Sequence, residues 1–332
     1  MSVTAVIGGG AWGTALADHL TRNGRPARLW AREADVVAAV NTAHENTRFL
    51  AGIALDARLA ADSDLPRVVA DADVVVLVPP SHAIRSVVRA MRSALAPGAT
   101  IAVATKGIEA DTLALMTDVV ASELPGHPIV ALSGPSFALE VARRQPTAIV
   151  AASTDAAAAT RVQKLLSSNS FRVYTQHDVT GVELGGALKN VMAVATGIVE
   201  GLGLGYNSRA ALITRGLAEM TRLGVALGAE PATFAGLAGM GDLVLTCTGS
   251  LSRNRAVGMA VGGGQTLEQA LAGKETVAEG VFTTRSALAL AVKHHVEMPI
   301  VAAVARILFE GYPAPQVIAD IMGRELRTEV DG

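Results

Sequence analysis

Apolar runs and longer amphipathic stretches alternate through the first half of the chain. Residues 3–7 form an apolar run, a helical pattern leads to Gly24, and a second short run covers 27–30. Further apolar runs lie at 73–78, 100–104, 128–132, 148–151 and 171–174, and a helix is expected from 155 to 166. Continuous apolar runs are typical of strands buried on both faces of a parallel sheet. The pattern therefore predicts an α/β fold with a doubly wound sheet over residues 1–180.

From about residue 181 the pattern changes to helical periodicity alone. The first helix is expected at 182–202, where Leu184, Leu188 and Val191 recur at helical spacing. At 1.5 Å per residue it would be roughly 30 Å long. Further helices are expected at 208–227, 253–261, 266–272, 281–294, 299–310 and 314–322. The sequence thus predicts an all-helical C-terminal domain, 181–332, for substrate binding and catalysis.

The composition agrees with two domains. At 332 residues the chain exceeds the usual size of a single core, and 50% of its residues are hydrophobic. Charged residues make up 17%, below the ~25% of average soluble domains. Such a low fraction of charged residues indicates that surface is buried between domains or subunits, so a homodimer is the simplest expectation.

Composition also argues against several classes of protein. The net charge is −2, aromatic residues are 3% and basic residues are scattered, so no nucleic-acid partner is expected. Lys189 interrupts the best apolar run, so no membrane span is expected. The N-terminus lacks a basic leader and Cys247 is the single cysteine, which together favour the cytoplasm. The histidines, including the pair His294-His295, lack companion ligands at metal-binding spacing, so no metal is expected.

A glycine-rich turn follows the first predicted strand. Gly8, Gly10 and Gly13 form the pattern G-x-G-x-x-G between a strand and a helix. In this setting the first glycine makes a tight turn, the second lets the backbone approach a pyrophosphate, and the third lets the helix pack on the strand. The helix N-terminus adds an anion site. We therefore expect a Rossmann domain that binds NADP(H), NAD(H) or both.

The end of the second strand bears on the choice of cofactor. In Rossmann domains an acidic residue there takes the 2′-hydroxyl of NAD, whereas an arginine accommodates the 2′-phosphate of NADP. Arg32 comes first here and favours NADP(H), while Glu33 could begin a helix or weaken that preference. The alternative for Arg32 is a solvated surface charge.

Lys189 is the only charge between Glu183 and Glu200 on the long helix at the predicted domain junction. Gly185 and Gly186 lie one turn away. Glycine within a helix costs ~1 kcal/mol against alanine, so we expect a backbone or a ligand to approach closely there. The alternative is a lysine whose stem covers apolar surface while its ammonium reaches water.

Two other clusters are candidates for the same site. Ligands of open α/β sheets bind beyond the carboxyl ends of strands, where Lys106 and residues 133–138 are expected. In the helical half, Asp242 lies in a glycine-rich apolar segment and is expected to pair with a lysine. Ser252 is expected to cap a helix whose first turn holds Arg253, a suitable phosphate site. An ordinary capped helix with a surface arginine is the alternative, and Cys247 is expected to be a buried thiol.

Taken together, these motifs resemble the bacterial NAD(P)-dependent sn-glycerol-3-phosphate dehydrogenase family. The matching stretches follow the family's order over nearly the whole chain, at 8–15, 104–107, 132–138, 183–190, 236–243, 246–248, 251–255 and 277–280. Ala11 stands where the family often has serine, and Ala51 where a proline is common. The resemblance implies reversible reduction of dihydroxyacetone phosphate to sn-glycerol 3-phosphate, which supplies phospholipid synthesis.

The resemblance also implies roles for individual residues. Lys189 is expected to be the catalytic acid/base, with Lys106 and Asp242 beside it. The residues expected around the substrate are Lys106, Gly134, Ser136, Asn190, Asp242, Thr246, Ser252, Arg253 and Asn254. Those expected at the cofactor are Gly8, Gly10, Ala11, Trp12, Gly13, Arg32, Lys106, Ala138, Arg253, Val277 and Glu279.

Elementary chemistry supports the role of Lys189. Hydride addition to a ketone leaves negative charge on the oxygen, which needs a proton donor. Burial and a second cation at Lys106 would lower the pKa of Lys189 toward neutrality, while Asp242 would oppose that shift.

Two alternative functions stay open at this point. The first is another dehydrogenase of similar architecture, acting on a β-hydroxyacid or a keto acid. Residues 252–254 distinguish it, because a carboxylate substrate needs no phosphate site of that kind. The second is a non-catalytic nucleotide sensor that reports the redox state of the cofactor by domain closure, for which Lys189 would be dispensable.

Overall fold

An eight-stranded sheet occupies the first half of the chain in the computed structural model, which describes residues 3–273, 278–326 and 328–329. The strands are β1 (Val3–Ile7), β2 (Ala27–Trp30), β3 (Ala60–Asp62), β4 (Ala72–Leu77), β5 (Thr100–Val103), β6 (Ile129–Ser133), β7 (Thr147–Ala152) and β8 (Phe171–Gln176). Their spatial order is β3-β2-β1-β4-β5-β6-β7-β8. All neighbours are parallel except β6 and β7, which run antiparallel. The predicted Rossmann doubly wound sheet is confirmed.

Helices cover both faces of this sheet. They are α1 (Ala11–Arg22), α2 (Ala34–Ala43), α3 (Leu65–Val69), α4 (Ile84–Met91), α5 (Met116–Glu123), α6 (Ala138–Ala142) and α7 (Ala156–Leu166). One apolar cluster joins α1, α2 and α7 to the strands, and a second joins α3, α4 and α5 to the opposite face. Because both faces are covered, β1 and β4 to β6 are almost entirely buried, which explains their continuous apolar runs.

The described chain after β8 is helical. Its helices are α8 (Val179–Gly201), α9 (Tyr206–Ala226), α10 (Pro231–Phe234), α11 (Asp242–Thr248), α12 (Arg253–Gly262), α13 (Leu267–Leu271), α14 (Glu279–Lys293), α15 (Pro299–Phe309) and α16 (Ala314–Met322). A short π-helical segment, Leu237–Gly241, leads directly into α11. The all-helical C-terminal part is therefore confirmed, while the division at 180/181 stays a prediction and falls within the first turn of α8.

Helix α8 is the central element of the helical half. Every residue from Gly181 to Val199 is buried. Most of its apolar side chains belong to the helical core, whereas Val182 packs with Ala131, Val150 and Ala152 of the sheet. A single helix thus holds the two halves of the chain together.

By length and composition alone, α8 is long and apolar enough to cross a membrane. Lys189 does interrupt the continuous apolar run, as expected, but one lysine among so many apolar residues leaves the average hydropathy high, so the expected absence of a membrane span stays a prediction. All of the 18-residue apolar window is buried inside the protein. The bent pair formed by 231–248 and Arg253–Gly262 passes the same test only if it is counted as one span.

Candidate active site

The glycine-rich turn between β1 and α1 has the geometry of a dinucleotide cradle. Gly8 has a φ of +129°, and a Cβ there would lie 3.0 Å from the backbone of Val78. A Cβ at Gly13 would overlap the carbonyl oxygen of Gly8, so helix and turn pack directly together. Above Gly10, by contrast, a Cβ would meet nothing within 4 Å. A ligand can therefore approach the backbone at Gly10, as the sequence predicts.

The start of α1 provides unpaired donors next to this open space. Gly10 is the N-cap and contributes no side-chain hydrogen bond. The first N–H groups of a helix, here those of Ala11 and Trp12, have no intrahelical acceptor. Together with the helix dipole they suit a pyrophosphate. The residues present thus fit a nicotinamide dinucleotide.

Arg32 follows β2 near this cradle. Its guanidinium donates to Oε1 of Glu33 at 2.9 and 3.1 Å, and its side chain is 83% exposed. Glu33 is the N-cap residue of α2, without a side-chain capping bond. Glu33 therefore precedes α2, as expected of a helix-start carboxylate, and its carboxylate also binds the guanidinium that would contact a 2′-phosphate.

Asp242 lies at the centre of the polar cluster between the two halves of the chain. Its Oδ1 accepts a hydrogen bond from Lys189 Nζ at 2.7 Å, and its Oδ2 accepts one from Lys106 Nζ at 2.5 Å. Thr246 accepts a further bond from Lys189 Nζ at 2.8 Å. Side-chain exposure is 1% for Asp242, 10% for Lys189 and 17% for Lys106. The lysine–aspartate pair expected from the sequence is a buried bridge between two lysines.

The two glycines that precede Lys189 make room for this bridge. A Cβ at Gly185 would lie 2.5 Å from the carbonyl oxygen of Ala238, within the π-helical segment that leads to Asp242. A Cβ at Gly186 would lie 2.5 Å from Ser133 Oγ and 3.3 Å from Lys106 Cδ. The close approach predicted beside Lys189 is therefore made by the protein itself.

Burial and charge set the protonation states of the cluster. Burial lowers the pKa of Lys189 to about 8, Lys106 lowers it too, and Asp242 opposes the shift. Burial alone would raise the pKa of Asp242, but Lys106 and Lys189 together hold it below its usual value. The carboxylate is therefore ionised at neutral pH, while the ammonium of Lys189 can release a proton near that pH.

A chain of amides leads from Lys189 to the start of α12. Asn190 accepts a hydrogen bond from the side chain of Asn254 at 2.9 Å, and Asn254 in turn accepts one from the backbone N–H of Gly280 at 2.9 Å. Ser252 caps α12 by accepting from the N–H of Arg255 at 3.3 Å. The predicted cap is confirmed, and the amides connect α8, α12 and α14.

Two neighbouring arginines on α12 differ in their surroundings. Arg255 donates to both carboxylate oxygens of Glu200, at 2.6 and 2.9 Å. Arg253 makes no ion pair or side-chain hydrogen bond within the described part of the chain. It is exposed at the surface, yet enough protein surrounds its guanidinium to lower its pKa, against the opposing charge of Glu279. Arg253 is thus available to an anion at a helix N-terminus.

Residues 133–138 form the wall of the site at the end of β6. Gly134 has a φ of +133°, and its carbonyl accepts from Lys106 Nζ at 3.2 Å and from Ser136 Oγ at 3.0 Å. Ala138 begins α6, whose N-cap residue provides no side-chain bond. This segment therefore holds Lys106 in place and adds another helix N-terminus.

Glu279 connects the two halves of the chain at the other side of the site. Its carboxylate accepts from the N–H of Ser81 at 3.0 Å and from Ser81 Oγ at 2.6 Å. Glu279 begins α14, and Ser81 lies just beyond the end of β4.

Val277, which was also expected at the cofactor, lies outside the described residues. Ser81 and Thr117, which donates to the buried Glu183, had no sequence signal that set them apart.

Two further observations concern the cysteine and possible metal ligands. Cys247 is fully buried, and burial raises the pKa of its thiol to about 12, as expected for an inert cysteine. Within the described ranges, no group of three or more histidine, cysteine, aspartate or glutamate side chains is placed to hold a metal ion.

Comparisons with known proteins agree with this arrangement. The profile described as NAD-dependent glycerol-3-phosphate dehydrogenase N-terminus matches residues 3–159, and the corresponding C-terminus profile matches 178–319. The chain is 54% identical over 329 residues to the glycerol-3-phosphate dehydrogenase (NAD(P)+) of Geobacter metallireducens, and equally to that of Geobacter sulfurreducens. Each match covers 98% of this chain and 98% of the relative.

A solved structure is also closely similar. The crystal structure of glycerol-3-phosphate dehydrogenase from Coxiella burnetii superposes with a TM-score of 0.94 at 41% sequence identity. It covers 97% of this chain and 99% of its own. The similarity therefore extends over both the sheet and the helical half.

Proposed function

The chain belongs to the NAD-dependent glycerol-3-phosphate dehydrogenase family, and we propose that Lys189 is its proton donor and Arg253 its phosphate-binding residue. It is an NAD(P)-dependent oxidoreductase that acts on a CH–OH group and interconverts dihydroxyacetone phosphate and sn-glycerol 3-phosphate. The family, enzyme class and cofactor expected from the sequence are thereby confirmed. The assignment of residues to roles is our own and rests on the geometry of the cluster.

We assign the cofactor to the turn between β1 and α1. Gly8, Gly10 and Gly13 shape the cradle, and Ala11 and Trp12 contribute the first N–H groups of α1. When bound there, a reduced nicotinamide supplies the hydride. Arg32 is our candidate for the 2′-phosphate of NADP(H). The remaining residues that we assign to the cofactor lie away from this turn and are Lys106, Ala138, Arg253 and Glu279.

The observation that carries the proposal is the buried ion pair between Lys189 and Asp242. The hydrogen bond between Asn190 and Asn254 connects it to Arg253, which has no ion-pair partner within the described part of the chain. A ketone oxygen gains negative charge as hydride reaches its carbon, and Lys189 can transfer a proton to that oxygen. Asp242 keeps the ammonium oriented, and Lys106 adds positive charge at the same place. In the reverse direction, neutral Lys189 accepts the hydroxyl proton of sn-glycerol 3-phosphate.

The phosphate of the substrate is assigned to the start of α12. Arg253 presents a planar guanidinium that can bind two phosphate oxygens at once. Ser252 already caps the helix, so we assign it a backbone rather than a side-chain role. Asn190 and Asn254 fix this helix start beside Lys189. Together with Gly134, Ser136 and Thr246 these residues form the substrate pocket that we propose.

Several wider expectations stay predictions. We infer a supply role in phospholipid synthesis, a cytoplasmic location and a homodimer from the sequence and the family. We also infer that α8 is a core helix rather than a membrane span, since its apolar window is buried within the protein.

A steady-state assay tests the proposed function. The enzyme is supplied with NADH or NADPH and a panel of small ketones, with and without phosphate, and oxidation of the cofactor is followed by absorbance. We expect turnover with dihydroxyacetone phosphate and a large loss of kcat/KM with dihydroxyacetone. Equal use of the two ketones would contradict the phosphate site, and no turnover with any of them would favour a nucleotide sensor.

A further inference from the structure

Helices α8 and α12 pack against each other through glycines spaced four residues apart. The glycines are Gly197 and Gly201 on α8 and Gly258 and Gly262 on α12. A Cβ at any of the four would overlap backbone atoms of the facing helix. The two backbones are therefore closer together than any residue with a side chain would allow at these positions.

The contacts between the two helices keep one register along their length. Asn190 faces Asn254, a separation of 64 residues along the chain. The same separation recurs farther along, where Gly258 faces the carbonyl of Val194 and Gly262 faces that of Ile198. The helices thus run side by side in the same direction, and a slip of one turn would move α12 by about 5.4 Å.

Both ends of the proposed substrate site are attached to this helix pair. Lys189 precedes Asn190 on α8, and Arg253 precedes Asn254 at the start of α12. The bond between the two asparagines ties these positions together at 2.9 Å. Arg255 adds a second tie to Glu200. The separation of the helices therefore sets the separation of the proton donor from the phosphate-binding residue.

We propose that Gly197, Gly201, Gly258 and Gly262 are positioning residues that fix the substrate length accepted by the enzyme. A rigid spacing between Lys189 and Arg253 selects ketones whose carbonyl lies a set number of bonds from a phosphate. This inference rests on the proposed function, and it adds a determinant of specificity that touches neither substrate nor cofactor.

The test compares substrates rather than overall activity. Gly258→Ala should push α12 away from α8 and displace Arg253. A displacement of about 1 Å can cost on the order of 10²-fold in rate, so we expect kcat/KM for dihydroxyacetone phosphate to fall by about that factor. For dihydroxyacetone, which has no phosphate, kcat/KM should stay within about threefold, because neither Lys189 nor the glycine-rich turn between β1 and α1 lies on α12. A phosphorylated ketone with one more methylene between carbonyl and phosphate should lose less than the natural substrate.

Control variants separate positioning from stability. Gly205→Ala, at the N-cap of α9, adds a methyl group where nothing lies within 4 Å and should leave all three substrates unchanged. If Gly258→Ala fails to fold, Gly262→Ala at the last residue of α12 makes the same comparison, since a helix end can relax. Thermal unfolding and cofactor titration confirm that each variant is folded and binds nucleotide.

The outcomes distinguish this inference from the proposed function. If the wild type uses both dihydroxyacetone and its phosphate equally well, the proposed phosphate site fails. If the wild type discriminates and the folded glycine variants keep the same ratio of kcat/KM values, only the spacing inference is overturned. Parallel losses on all substrates would also overturn it, because they would indicate a general structural role.

Discussion

Lys106 and Lys189 donate to opposite oxygens of one carboxylate, although one follows a strand of the sheet and the other lies on α8. Two ammonium groups held this close repel each other, and the intervening charge of Asp242 offsets that repulsion. The shared carboxylate keeps both in place, and their mutual repulsion together with burial makes the proton of Lys189 easier to release.

Replacement of Lys189 by methionine tests the chemistry most directly. Methionine fills a similar volume and removes a buried ammonium, so Lys189→Met should fold. It should bind reduced nicotinamide nearly as well as the wild type, because the cradle lies in the sheet half. Turnover should fall ~10²–10⁴-fold, the usual contribution of a positioned acid–base group. Steady-state kinetics should show the loss in kcat and kcat/KM together. A folded variant with more than about a tenth of wild-type kcat would make Lys106 the better candidate.

The pH dependence should differ between the two directions of the reaction. Lys189 must be protonated to reduce the ketone and neutral to oxidise the alcohol. Because its pKa is lowered to about 8, kcat/KM for reduction should fall as the pH rises through that value, and kcat/KM for oxidation should rise. Profiles of kcat/KM against pH in both directions provide the measurement. If kcat/KM changes in the same direction with pH for both reduction and oxidation, Lys189 is not the titrating group.

Removal of Arg253 should affect the phosphorylated substrate selectively. Arg253→Ala should weaken transition-state binding of dihydroxyacetone phosphate by roughly 2–5 kcal/mol, the scale for truncating one partner of a buried charge pair. Arg253→Lys should restore activity only in part, since lysine lacks the planar fork. Arg306→Ala is the control: it loses an ion pair with Asp320 that joins α15 to α16, away from α12, so it should change the two substrates alike. Equal losses on dihydroxyacetone would remove Arg253 from the phosphate site.

Cofactor preference should depend on the contact between Arg32 and Glu33. Arg32→Ala should raise KM for NADPH much more than KM for NADH, because only NADPH carries the 2′-phosphate. Glu33→Gln should lower KM for NADPH, since the guanidinium now bound to Glu33 becomes available. KM values for both reduced cofactors decide the matter. If both substitutions change the two KM values equally, Arg32 does not contact the 2′-phosphate.

The buried carboxyl of Glu183 should make stability depend on pH. Burial raises its pKa from the ordinary 4.5 to about 7, although two hydrogen bonds from Thr117 oppose the shift. The folded state binds this proton more tightly, so the stabilisation is complete below about pH 4.5 and is lost as the pH rises through 7. Between about pH 4.5 and pH 7 the wild type should therefore lose more free energy of unfolding than Glu183→Gln. The difference should reach up to ~3 kcal/mol, at 1.36 kcal/mol per pKa unit.

Urea unfolding at several pH values measures this difference. The exposed Glu310→Gln is the control, because its carboxylate is solvated in both states. If the free energies of unfolding of the wild type and Glu183→Gln change by the same amount between about pH 5 and pH 7.5, Glu183 is ionised in the folded protein.

Features of the fold that depend on local chain geometry could be predicted from the sequence. The turn at Gly8, the cap at Ser252 and the burial of α8 each depend on residue types and spacings that lie close together in the chain. The pairing of Asp242 with a lysine was expected too, because an unpaired carboxylate in apolar surroundings is costly. That two lysines share it depends on how β5 and α8 pack, which no local pattern encodes.

Other features had weak signals or none. The antiparallel pairing of β6 and β7 was missed because both are continuous apolar runs, which do not specify direction. β3 is three residues long and follows no apolar pattern. The contact of Glu279 with Ser81 joins positions far apart in the chain. The glycine pairs of α8 and α12 did have a signal, since a spacing of four is typical of helices in close contact, but each glycine read singly indicates only a weak helix.

The burial of α8 has a consequence for how this protein can evolve. Val182 fills a position against Ala131 and Val150 of the sheet, while the rest of the helix forms the centre of the other half. Recombination that replaced the helical half would expose Ala131 and Val150 of the sheet to water unless the new half carried an equivalent helix. The two halves are thus expected to be inherited as a unit, and exchange between homologues should succeed only where the crossover preserves both partners of that contact.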